Sequence, residues 1–326
     1  MTSLRRKFVI YLITAWVAIT VNFLVPRLMP GNPIEQLIGK LQGQVTEQEI
    51  NAIKAQFGQG LNQPMIVQYW HYLVQLAHGN LGESISLSEP VSQAISSQIW
   101  WTIGLIGTAA LVSFVIGTAL GVYFGWTRGS RTDVVIPVAT FFQSIPFYFM
   151  GTVLVMIFAV NLNWFPIEGM YDNSLTPGFH WDYIASVLRY AELPIAAITL
   201  CSLAGWMIGM RNMMITTMSE DFVLMSIAKG LPKRRIMWHA ARNAIIPSVA
   251  NLALTIGFLV SGSLIVESVF SYQGVGNLLV TAVGNEDYPL IQGVFLVITF
   301  TVLVANFAAD LLYYYLDPRI RSATVQ

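Results

Sequence analysis

Three observations predict an all-α integral membrane protein with six transmembrane helices and cytoplasmic N- and C-termini. Of 326 residues, 55% are hydrophobic and only 10% charged, against about 25% charged in soluble domains. Uncharged runs long enough to cross a bilayer, roughly 18 residues or more, occur six times. They are continuous rather than alternating in ten-residue segments, which selects helices over a transmembrane barrel. The basic residues are also segregated. With the N-terminus inside, Arg5, Arg6, Lys7, Arg128, Arg131, Arg211, Lys229, Lys233, Arg234, Arg235, Arg242, Arg319 and Arg321 fall in inner segments. Only Arg27, Lys40, Lys54 and Arg189 fall outside, a strong positive-inside bias beneath a net charge of zero.

The first run, Phe8 to Val25, follows Arg5, Arg6 and Lys7 as a secretory signal would. Its length exceeds the usual 7 to 15 residues, however, and Pro26 to Pro30 offers no small-residue cleavage site, so an uncleaved anchor is expected. Residues 1–28 then form an anchor span, 29–98 an extracytoplasmic cap loop and 99–326 a five-span core. In the cap, Thr46-Glu47-Gln48-Glu49 reads as a capping box for a helix with Ile50, Ile53 and Phe57 on one face, ending at Gly58. A second helix is expected from Pro64, packing through Ile66, Tyr69, Trp70, Leu73 and Leu76 and ending before Gly79.

The remaining runs are Ile99 to Trp126, Val134 to Phe165, Leu193 to Met210, Ala244 to Val266 and Tyr288 to Ala309. The third contains the helix-perturbing Pro146, and Cys201 in the fourth reads as a small buried hydrophobe. A lone cysteine allows neither a disulfide framework nor a thiolate metal cluster. In the loop from Asn161 to Glu192, Trp164, Tyr171, Trp181 and Tyr183 suit a membrane interface.

Catalytic signatures are not found. The chain contains no phosphate loop of the form G-x-x-x-x-G-K-[ST], no H-E-x-x-H zinc helix and no G-x-S-x-G nucleophile turn. His71, His78, His180 and His239 are scattered, so neither a metal site nor a cofactor site is expected in this chain.

The stretch from Ser219 to Pro247 carries five of the seventeen basic residues between two apolar runs. A helix is expected from Asp221 to Ala228, with Ser219 a candidate N-cap and Glu220 and Asp221 in the first turn, where the dipole favours negative charge. Gly230 breaks it, and Pro232 fits the start of a second short helix closing near Arg242. Phe222, Leu224, Met225, Ile227, Leu231, Ile236, Met237 and Trp238 supply an apolar surface that a bare loop does not need. Physics leaves two readings open: a docking surface, or an interfacial loop whose cations bind anionic lipid.

The motifs Asp221-Phe222-Val223, Ala228-Lys229-Gly230-Leu231, Arg234-Arg235 and Arg242-Asn243-Ala244-Ile245-Ile246-Pro247 resemble the EAA loop of ATP-binding-cassette import permeases. The resemblance is specifically to the first permease subunit of dipeptide and oligopeptide importers. Further signposts of that family follow in order along nearly the whole chain: Pro30-Gly31-Asn32-Pro33, Gly79-Asn80-Leu81-Gly82-Glu83-Ser84, Ser144-Ile145-Pro146-Phe147, Val266-Glu267-Ser268-Val269-Phe270 with Gly274-Val275-Gly276, Asp287-Tyr288-Pro289 and Leu316-Asp317-Pro318-Arg319-Ile320-Arg321. Leu224-Met225-Ser226-Ile227 and Gln273 depart from the pattern and imply a greasier docking face.

The resemblance implies a permease core with a coupling loop at 219–243 between spans four and five. Asp221, Ala228, Lys229, Gly230, Leu231, Arg234 and Arg235 would be its ATPase-coupling residues. It implies four protein partners: a second homologous permease, two ATPase subunits that bind ATP and Mg, and an extracytoplasmic binding protein. Membrane lipid is a further partner, nucleic acid is not, and the location implied is a prokaryotic cytoplasmic membrane. The implied cargo is short peptides, with oligosaccharides or chelated metal as alternatives.

Polar groups at membrane depth are functional candidates. Gln143, Ser144, Asn251 and Glu267 are therefore expected on the pathway or gate, against helix-to-helix hydrogen bonding as the bland alternative. The competing class is an ion-driven carrier, which would show symmetry-related halves or paired intramembrane charges. Neither is evident.

Overall fold

Long uncharged runs become long helices, and the places where they break are set by proline and glycine. The computed structural model describes residues 2–28, 63–129, 134–249, 251–252, 255 and 264–316. In chain order the helices are α1 (Thr2–Leu28), α2 (Met65–Ala77), α3 (Val91–Trp126), α4 (Val135–Gln143), α5 (Phe147–Leu154), α6 (Trp181–Thr217), α7 (Asp221–Ala228), α8 (Lys233–Ala244), α9 (Leu264–Val269), α10 (Val275–Gly284) and α11 (Tyr288–Leu316). A π-helical stretch, Val155–Asn161, continues α5. Among the described residues the one β feature is an isolated bridge between Glu83 and Pro90, in keeping with the all-α expectation.

Among the described residues, four segments are long and apolar enough to cross a membrane: Phe8–Val25, Val91–Trp126, Trp181–Thr217 and Tyr288–Leu311. The expected span from Val134 to Phe165 is not one straight helix. It divides into Val135–Gln143 and Phe147–Asn161, bent by 100°, because Pro146 lacks an N–H and disfavours helical backbone at Ile145. Two other spans begin earlier than their uncharged runs: α6 at Trp181 instead of Leu193, and α3 at Val91 instead of Ile99. Polar first turns hide these starts from a hydropathy rule, and α6 carries Pro194 within it without ending. About half of the fifth run, Ala244 to Val266, lies outside the described residues, and the capping box and the helix expected around Ile50 to Phe57 lie wholly outside them.

The chain divides into two units. The larger comprises Met1–Ser3, Trp101–Gln273 and Thr301–Gln326. Its core brings Leu105, Ile106 and Ala109 of α3 together with Met150 and Leu154 of α5, Ala197, Ile198 and Cys201 of α6, and Val266 and Phe270. Lipid tails are as apolar as these side chains, so close packing holds such helices together more than exclusion from water does. Within this unit α3 and α6 approach closely. A Cβ on Gly117, Gly121 or Gly125 would come within 2.6, 2.6 or 2.5 Å of Trp206, Met207 or Met214 respectively.

The second unit comprises Leu4–Trp100 and Gly274–Phe300. Here α2 packs through Tyr69, Tyr72, Leu73 and Leu76, whereas Ile66 and Trp70 stay exposed, which corrects two of the five residues expected on that face. Phe23 of α1 selects the register: its ring lies 5.1 Å from Tyr69 and 5.5 Å from Tyr72. Arg27 stacks 3.7 Å over the same Phe23 ring and donates to Gln68 Oε1.

Two signposts 203 residues apart form one hydrogen-bonded motif in this unit. The buried Asp287 Oδ2 accepts from Ser84 Oγ at 2.6 Å, Ser86 N at 2.8 Å and Ser86 Oγ at 2.7 Å, while Oδ1 accepts from Leu290 N at 3.1 Å. The carboxylate thus caps the start of α11 and closes the loop before α3. Asp287→Ala strands four donors, and the expected loss is on the order of 3 kcal/mol. Thermal unfolding of the purified chain measures it, with Ser86→Ala expected to be milder because the backbone donor survives.

Candidate functional site

The Ser219 to Pro247 stretch folds as expected into helix, glycine bend and helix, with one change at its start. Glu220, not Ser219, occupies the N-cap position of α7. Ser219 Oγ instead donates to Thr216 O at 2.7 Å, finishing α6. At the other end of α7, Gly230 takes φ +71°. Its N–H bonds to Ile227 O and that of Leu231 to Ser226 O, a Schellman closure that requires left-handed backbone and therefore favours glycine.

Both short helices are anchored on the end of α6. Met210 and Met214 are fully buried against Val223 of α7 and Ile236, Ala240, Ala241 and Ala244 of α8. Phe222, Leu231 and Met237 pack around the same cluster. The surface expected from eight apolar residues is therefore split: Phe222, Leu231, Ile236 and Met237 turn inward. The outward ones are Leu224, Met225, Ile227 and Trp238, 53%, 59%, 51% and 67% exposed.

Around them Asp221, Ala228, Lys229, Lys233, Arg234, Arg235 and Arg242 are exposed, and Leu231 forms the inner edge of the bend. The residues singled out for coupling thus meet on one element. Sequence reasoning did not pick out Val223, Ser226, Ala240 and Ala244, the inward face. Their signal was available in small side chains at i+3 and i+4 spacing.

The pathway candidates disperse. Gln143 and Ser144 stand together at the end of α4, both exposed. The Gln143 amide lies over Gly205 of α6, 3.4 Å from where a Cβ would be. Ser144 Oγ donates to Thr140 O at 3.0 Å, satisfying the last turn of its own helix. Asn251 is exposed, its carbonyl accepting from Thr255 Oγ1. Glu267, in contrast, is fully buried in α9, and its carbonyl accepts from Tyr272 N at 2.8 Å. Burial first, and the neighbouring Glu267 carboxylate second, push the Tyr272 phenol up to about 12.

The loop before α6 was read only as aromatic interface. Tyr171 stacks with Trp101 at 6.4 Å and meets Tyr183 edge-on at 5.1 Å, while Trp164 and Trp181 remain exposed.

A family described as the inner membrane component of binding-protein-dependent transport systems matches residues 117–322. Among full-length relatives, a Brucella ovis protein named as a candidate peptide permease is 36% identical over 305 residues, covering 92% of each chain. A di/tripeptide transport system permease protein of Pseudomonas aeruginosa is 32% identical over 336 residues, covering 98% of this chain and 99% of its own. A candidate peptide ABC transporter permease of Sinorhizobium fredii is 31% identical over 322 residues, covering 98% of both. With the profile matching more than half of the chain and the relatives aligning along nearly all of it, this protein belongs to the inner membrane components of binding-protein-dependent transport systems.

Proposed function

We propose that this chain is a permease subunit of an ATP-driven importer of short peptides, and that it forms half of the translocation pathway. The observation that carries the reading is the outward face of α7 and α8, four large apolar side chains ringed by cations and anchored on α6. Solvent does not call for such a face, and a lipid-binding loop would turn its apolar side chains and cations to the bilayer. An ATPase groove would bury Leu224, Met225, Ile227 and Trp238 together. Full-length relatives named for peptides favour that cargo over oligosaccharides or chelated metal.

In this reading a second homologous permease completes the pathway, two ATPase subunits bind ATP and Mg and engage one such loop each, and a binding protein delivers the peptide outside. Closure of the ATPases moves α7 and α8 as one piece with the end of α6. Binding free energy then shifts the spans between two packings. Trp238→Asp with Leu224→Asp is expected to abolish co-purification of the ATPase subunits with membrane-inserted chain. Retained co-purification would return the loop to the lipid reading.

The proposed topology has six spans with both ends inside. Reporter fusions after Arg5, Gly129, Arg235 and Arg321 should score as cytoplasmic, and those after Gln59, Asp172 and Asn285 as external. An external score at Arg235 would remove the loop from any cytoplasmic partner.

A further inference from the structure

Between the loop that follows the π-helical stretch and the first turns of α6 lies a cavity of about 460 Å³, within the usual range for small-molecule sites. Its walls combine apolar surface from Phe165, Pro166 and Tyr190 with the charges of Asp172, Asp182 and Arg189. The loop is tied down at several points. Asp172 N donates to Ser186 Oγ at 2.8 Å, Arg189 Nη2 donates to Trp164 O at 3.2 Å, and Gly169 N donates to Phe270 O at 2.8 Å. Ser271 Oγ donates to Glu168 Oε2 at 2.9 Å. Such a wall is set before any ligand arrives.

The charges are not spent on each other. Among the described residues neither Asp172 nor Asp182 forms an ion pair with Arg189. Asp172 Oδ1 accepts from Ser174 N at 2.9 Å, which holds its carboxyl below the ordinary carboxylate range and so ionised. Arg189 commits one nitrogen to Trp164 O and keeps other donors of its planar fork.

Asp182 and Arg189 are seven residues apart on α6, so they share a face about two turns, or about 10 Å, apart along the axis. An extended tripeptide spans about 10 Å between its termini at about 3.5 Å per residue.

We infer that this cavity is a peptide-receiving site of the permease itself, with Asp182 and Asp172 taking the peptide ammonium and Arg189 its carboxylate. The inference rests on the peptide reading above and goes beyond it by placing a zwitterion-recognising site in this chain. A phosphatidylethanolamine headgroup shares the ammonium and anion but holds them only a few bonds apart, too close to reach both ends. Tripeptides are therefore the favoured length, and one or two residues fall short.

The test is calorimetric titration of the full-length chain in nanodiscs with trialanine. Saturable binding is expected, weakened at least tenfold by N-acetylation or C-amidation of the peptide and at least tenfold by Asp182→Asn or Arg189→Gln. The pairing is specific: Asp182→Asn combined with Asp172→Asn should no longer distinguish acetylated from free peptide, and Arg189→Gln should no longer distinguish amide from acid. The ligand-side changes need no altered protein, so a misfolded variant cannot imitate the result.

Absence of wild-type binding, indifference to both blocked termini, or equal competition by maltotriose or glycerophosphoethanolamine would each overturn the site. Peptide uptake by the wild-type assembled transporter is scored in parallel. Uptake without trialanine binding refutes this cavity alone, whereas failure of uptake refutes the importer reading.

Discussion

Replacing Gly230 by valine should reduce peptide import by the assembled transporter at least tenfold while the chain still inserts in the membrane. The cause is backbone conformation. Gly230 holds φ +71°, and a Cβ placed there meets nothing within 4 Å, so the chain itself has room for a side chain. A β-branched residue in this region costs about 1 kcal/mol or more. It would open the Schellman closure and move Leu231 off the cluster around Met214. ATP hydrolysis should then stop responding to substrate-loaded binding protein. Asn tolerates left-handed backbone, so Gly230→Asn should retain most import, and Arg128→Ala, in the loop after α3, should matter less than valine. Wild-type import and stimulated hydrolysis in Gly230→Val would make this loop a connector without a coupling role.

The larger structural effect is expected at Gly121. A Cβ there would lie 2.6 Å from both Met207 O and Met210 Cβ, atoms of the α6 backbone or one bond from it, which cannot rotate away. Gly121→Leu must therefore push α3 and α6 apart. Overpacking of this kind costs about 1 to 3 kcal/mol or more, and the small-residue contact is the main attraction between such helices in lipid. The thermal midpoint of the purified chain should fall sharply, and Gly121→Ala should show a smaller fall. Gly104 and Gly107 on the same helix have nothing within 4 Å of a Cβ, and their alanine variants should be close to neutral. Equal tolerance at Gly121 and Gly104 would mean that α3 and α6 do not pack as described.

These two glycines separate what is readable locally from what is not. Gly230 follows a short helical run, and left-handed closure by glycine is a local rule, so its bend was legible before any packing was known. Gly121 sits in a run of small and apolar residues with no local mark. Its importance comes from Met207 and Met210, more than eighty residues later in the chain. The same contrast explains α2, where five apolar residues suggested one face and Phe23 of α1 selected another that includes Tyr72.

Composition, charge segregation and ordered motifs by themselves determined an all-helical membrane chain, the family, and a helix-bend-helix loop between two apolar segments. Those are properties of residue type and spacing, and hydrocarbon solvent enforces them without help from distant contacts. Tertiary structure alone decided which four of the loop's eight apolar side chains point outward and that Asp287 closes on Ser84 and Ser86. It also decided that Asp182 and Arg189 share a cavity with Asp172. Each depends on side chains brought together from separate segments, where packing and hydrogen-bond geometry, not local propensity, select the partner.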